Sequence, residues 1–139
     1  MGYIIVIGNA VQKEEEGGIR VRVERVSHPC VSLMRHEPNY NQGNRWEPTY
    51  VGFLYFCVKT GLKSIFFLDG ANRIRGGYPG AMSVTPEILA SVEKAKVDWL
   101  SKVSDRQVDM FPTIERLEWL IYWMHWALEN TKTPTIEIS

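Results

Sequence analysis

Residues 113–129 place apolar side chains on two opposed sides of one helix. Ile114, Leu117, Ile121, Met124 and Leu128 recur at three-four spacing and form one stripe. Trp119, Trp123 and Trp126 recur at the same spacing on the other side, and Leu120 and Ala127 fill the arc between. Only Glu115, Glu118, Tyr122, His125 and Glu129 make a polar stripe. A helix that is apolar on two sides must be covered on both. One side can lie on a sheet. The other needs a second helix, a loop or another subunit, because three exposed indoles exceed the apolar patch a monomer ordinarily shows. Two arrangements meet this demand. The helix is sandwiched inside one domain, or Trp119, Trp123 and Trp126 form an interface, since Trp concentrates at binding hot spots. Base stacking is a third use for an aromatic row, but it needs a positive groove, and this helix is acid-rich.

The rest of the chain supplies what such a helix packs on. Tyr3 to Val11 is rich in Ile and Val without helical spacing, which predicts a strand buried on both faces. Lys13 to Gly18 is a charged turn whose diglycine supplies positive φ, so a hairpin is expected. Ile19 to Val26 alternates, with Ile19, Val21 and Val23 on one face and Arg20, Arg22 and Glu24 on a wet one. Ser27 to Pro48 reads as a long loop, with Val31 to Met34 as one short strand in it. Tyr50 to Val58 is apolar throughout and predicts a central strand. Ser64 to Leu68 predicts another, followed by a glycine-rich connection over Asp69 to Gly80.

Thr85-Pro86-Glu87 is a helix start: a capping hydroxyl, proline in the first turn and an acid at the positive end. Ile88, Leu89, Val92, Ala95, Trp99, Leu100 and Val103 then share one face. Ser104 to Pro112 breaks the pattern, and Thr113 caps the tryptophan-rich helix. Strands first and helices last is the segregated α+β pattern. The expected fold is α+β: one domain over 1–139, with an antiparallel sheet of four to six strands from residues 1–82 packed against a C-terminal helix pair.

Composition narrows the function classes. Sixteen basic groups balance sixteen acidic ones, which argues against bulk nucleic-acid coating. The balance hides a polarity. Residues 31–80 carry a surplus of three positive charges and residues 81–139 a deficit of three. That leaves room for a local anion site mid-chain and for opposite-signed surfaces to meet between subunits. Two cysteines do not make a disulfide scaffold. Cys30 and Cys57 could pair, but reduced thiols in a cytoplasmic protein are expected. The first residues lack a signal-peptide pattern, and no apolar run approaches the roughly 20 residues of a membrane span.

Three clusters carry chemistry. Arg73 and Arg75 sit beside Asn72 and Tyr78 in glycine-rich chain. With Arg20, Arg22, Arg45 and Trp46 they could converge on a phosphorylated or nucleotide-like anion, or simply form solvated surface. His28, Cys30 and His36 offer nucleophile and base for a small hydrolase or transferase, but their spacing matches no standard zinc pattern, and no metal or cofactor is expected. Glu115, Glu118, His125 and Glu129 share a helix face and could do acid–base work or just face solvent. The leading expectation is a homo-oligomeric, non-catalytic binding protein. It would hold an anionic small molecule or a partner protein, as inhibitors and sequestering factors do, including those of phages and other mobile elements. The enzyme and a pure protein-interaction module are the alternatives.

Overall fold

The computed structural model describes residues 2–26, 34, 41–67, 80–102 and 113–139. Strand β1 (Ile5–Glu15) and strand β2 (Gly18–Val23) form the expected antiparallel hairpin, paired from Glu15 with Gly18 to Ala10 with Val23. Its turn holds Gly17 and Gly18 at φ +94° and +124°, values that suit glycine.

The first half of β1 has other neighbours. β4 (Arg45–Trp46) pairs with it on one side and β6 (Pro134–Ile138) on the other. β3 (Asn41–Gln42) adds to β4, and β5 (Ala81–Ser83) adds to β6. The order is β3-β4-β1-β6-β5, with β2 pairing to the far half of β1. The six strands among the described residues are all antiparallel to their neighbours, and with the helices they make the α+β fold the sequence predicts. The sheet is not confined to residues 1–82, however. The chain returns after its helices and inserts β6 between β1 and β5.

Among the described residues four helices accompany the sheet: α1 (Tyr50–Thr60), α2 (Lys63–Phe66), α3 (Pro86–Lys102) and α4 (Thr113–Asn130). The first two replace the strands expected over 50–58 and 64–68. Thr49 caps α1, its hydroxyl accepting from the Gly52 N–H at 3.0 Å. Gly61 ends it in the left-handed region at φ +77°, donating to the last carbonyls. Phe53, Phe56 and Cys57 fall on one side of the helix and are buried. An uninterrupted apolar run fits either element by composition, and here the two caps decide for a helix.

Helices α3 and α4 run as predicted. The Thr85 hydroxyl accepts from the Ile88 N–H at 3.2 Å, and Ile88, Leu89, Val92 and Ala95 are buried. Leu100, expected on the covered face, is exposed. Leu117, Trp119, Leu120, Trp123, Met124 and Ala127 of α4 are all buried, so the chain itself covers the helix on both sides. Ile5, Ile7, Trp46, Met82, Ile136 and Ile138 share one core with these helices. Trp46 touches Phe53, Phe56 and Trp119 edge-on, with ring centroids 5.6–5.8 Å apart.

Alternation sends the intervening residues to the other face. Val6, Glu137 and Ala81 lie abreast there. That face is covered by the end of β2, which curls back over it. The buried Glu137 carboxylate accepts from the Val23 N–H and from Arg22 Nη1, both at 3.0 Å. Gly8 permits the approach, since a Cβ there would lie 3.2 Å from Asn44 Nδ2 and 3.3 Å from Val23 Cγ1. Asn44, fully buried, ties the seam. Its amide donates to the Ile7 and Glu24 carbonyls and its oxygen accepts from the Val26 N–H. The outcome for β2 differs from the alternation reading. Ile19 at the hairpin tip is 66 % exposed, because only β1 flanks it there, while Arg22 turns inward to a carboxylate. Of the strand expected over 31–34, Met34 alone is described, and it is buried. The glycine-rich segment up to residue 79 and the break at 104–112 lie outside the described residues.

Candidate functional site

A groove of about 660 Å³ runs along the outward side of α4. Its residues come from the helical period: Glu118, Ile121, Tyr122, Glu129, His125 and Trp126 recur three or four apart, so one turn stacks on the next. Lys96 of α3 forms the opposite wall. Ile121 and Trp126 are half-buried and pack on the core, with the Trp126 ring 5.4 Å from that of Trp123. The polar groups stand above this apolar floor. Lys96 Nζ lies 3.5 Å from Glu118 Oε1, and His125 Nδ1 lies 3.3 Å from Glu129 Oε1.

Two carboxylates and one lysine line the groove, with Glu118 beside Lys96 and Glu129 beside His125, a formal surplus of one negative charge when the histidine is counted as neutral. The last turn of α4 holds no basic residue. Glu129 therefore adds to the negative end of the helix dipole rather than offsetting it. The volume lies within the roughly 300–1,000 Å³ of ordinary ligand sites. Three of the four members of the predicted acidic stripe line this groove, together with Tyr122. Lys96 was not legible, since nothing in sequence sets α3 beside α4 in this register.

The predicted arginine site is only partly described. Arg22 faces Glu137, and Arg45 Nη2 lies 3.2 Å from Glu47 Oε1. Each of these arginines thus faces a carboxylate of its own chain. Trp46, expected to help hold a ligand, is fully buried among Phe53, Phe56 and Trp119 and is withdrawn from any surface. The Arg20 side chain, Asn72, Arg73, Arg75, Tyr78, His28, Cys30 and His36 lie outside the described residues. Trp119 and Trp123 are inside the core, and Trp126 alone of the three indoles reaches the groove.

Cys57 is a free thiol buried under α1, and burial pushes its ionisation well above the ordinary value of 9.0. It is therefore no ready nucleophile. Among the described residues no group of three or more His, Cys, Asp or Glu gathers as a metal site. No described helix is long and apolar enough to cross a membrane. Comparison with protein-family models, curated proteins and solved structures finds no match.

Proposed function

We propose that this chain is a non-catalytic binding protein whose ligand joins an apolar body to a cationic nitrogen, seated in the α4 groove. One observation carries the reading: the groove sets the Trp126 and Ile121 floor beneath a carboxylate surplus from Glu118 and Glu129. An indole face attracts a cation as well as an apolar surface. A carboxylate beside that face favours an ammonium or guanidinium over a neutral group. Free amines and the basic side chain of a partner peptide share this chemistry.

The test is an NMR titration with phenethylamine, with its N-acetylated form and with a short Lys/Leu peptide. The amine is expected to shift α4 resonances saturably and the neutral amide to do so about tenfold more weakly. Glu118→Gln with Glu129→Gln should remove that preference. A peptide that binds at least tenfold tighter than the amine identifies a protein segment as the source. Equal binding of amine and amide overturns the reading. Inorganic phosphate serves as the opposite arm: saturable shifts at β2 and β4, with none at α4 from the amine, would return the site to the arginines.

A further inference from the structure

The charges of the α4 groove stand in two pairs, and one of them depends on a proton. Glu118 Oε1 lies 3.5 Å from Lys96 Nζ, so that carboxylate has a permanent cation beside it. Glu129 Oε1 lies 3.3 Å from His125 Nδ1, and a neutral imidazole leaves the Glu129 charge standing. The last turn of α4 holds no basic residue that could take the place of His125. The titratable and charged groups facing His125 are Glu129, Glu118 and the Tyr122 phenol from α4, and Lys96 from α3. Among the described residues, the strands under α4 send no charged side chain into the groove. Carboxylates, phenols and alkylammonium groups ordinarily keep their charge between about pH 5.5 and about pH 8, whereas imidazole changes its own there.

We infer that the His125–Glu129 pair is a proton-operated switch on the groove, which holds a cationic ligand while His125 is neutral and loosens it once His125 is protonated. This rests on the reading of the groove as a cation site. With a neutral imidazole two carboxylates stand against one lysine. An imidazolium makes the count two against two, and the surplus that attracts a cation is gone. The switch sits where it acts, since His125 and Glu129 are one helical turn apart and line the same groove as the Trp126 indole. The incoming ammonium then meets a carboxylate already compensated and a second cation beside it. The two side chains are 57 % and 65 % exposed, so solvent screens the interaction. The expected weakening is therefore modest, about threefold to tenfold. The same exposure lets the proton exchange directly with water. By linkage, a bound cation opposes protonation of His125 by the same factor.

The test is an NMR titration with phenethylamine at about pH 8 and about pH 5.5 and constant ionic strength, a range in which this probe stays an ammonium. The dissociation constant is expected to be about threefold to tenfold higher at the lower pH. Saturating amine should in turn move the midpoint of the His125 ring-proton titration down by about 0.5 to about 1 pH unit, the same ratio read from the other side. His125→Gln should remove the pH dependence, and His125→Lys should hold the groove in its weak state at both pH values. Glu129→Gln should also flatten the profile, at the weaker level. Equal binding at the two pH values overturns the switch and leaves the cation reading of the groove standing. So does a pH dependence that survives in His125→Gln. No saturable binding at about pH 8 overturns both.

Discussion

Replacing Glu137 by alanine tests the curl of β2 over the sheet. The Glu137 side chain is 6 % exposed, and its carboxylate holds two donors, the Val23 N–H and Arg22 Nη1, each at 3.0 Å. Glu137→Ala strands the Val23 N–H in a buried place, at about 1–3 kcal/mol. It also removes a charge-assisted bond, worth about 1.5–3 kcal/mol when buried. That second cost is discounted to about 1 kcal/mol, because the Arg22 side chain is 36 % exposed and water can replace the carboxylate. The lost methylenes add about 1 kcal/mol of packing. The sum is about 4 kcal/mol, a large fraction of a small domain's stability. Glu137→Gln keeps the shape and an oxygen for Val23, so its cost should be about 1–1.5 kcal/mol. Urea denaturation of both variants measures the difference, and amide exchange at Val23 locates it. A Glu137→Ala loss below about 1 kcal/mol would refute the reasoning. A Glu137→Gln loss equal to that of alanine would show that the charge, not the N–H acceptor, carries the seam.

Two buried indoles give a matched comparison. Trp119 Nε1 donates to the Gly43 carbonyl at 3.0 Å, whereas Trp123 Nε1 is buried with no partner among the described residues. Trp119→Phe should therefore cost about 1 kcal/mol more than Trp123→Phe in a urea melt, and the reverse order would count against the assigned bond. Cys57 should resist a thiol reagent in the folded protein and react once the chain is unfolded. Its raised ionisation has a defined sign for stability. Below pH 9.0 both folded and unfolded thiols are protonated and the contribution is intact. Above it the unfolded chain ionises and the buried thiol does not, so stability falls as pH rises. A Cys57→Ala variant should lose that part of the alkaline decline, as read from denaturation midpoints between about pH 8 and about pH 10.

The hairpin of β1 and β2, the two long helices and the acidic stripe of α4 were legible in the sequence. Each is announced by local chemistry: a diglycine turn, a Thr-Pro-Glu start, a period of three to four. The misread elements lacked that. Tyr50 to Val58 is apolar at nearly every position, so periodicity could not separate strand from helix, and the signal lay outside the run in Thr49 and Gly61. β6 is five residues long and begins with a proline. Its alternation of Ile136 and Ile138 with Thr135 and Glu137 is real but too short to stand alone. The candidate site was half-legible for the same reason, since helical spacing collects Glu118, Tyr122, His125 and Glu129, but Lys96 joins them only through packing of α3 on α4.

The sequence alone fixed how much of α4 had to be covered, because indoles and aliphatic residues on opposed sides cannot both face water. Tertiary structure decided what covers it. Trp119 and Trp123 went inward against the sheet and Trp46, while the uncovered apolar surface fell to α1, where no sequence pattern placed it. Charge followed the same division. Residue types fixed the balance of sixteen against sixteen. Whether a given charge meets solvent or a partner depended on strand curvature and register, which bring Arg22 to a glutamate 115 residues away. Local propensity acts over one turn or one hairpin. Long-range pairing is set by which faces can be buried together, and that is a property of the whole chain.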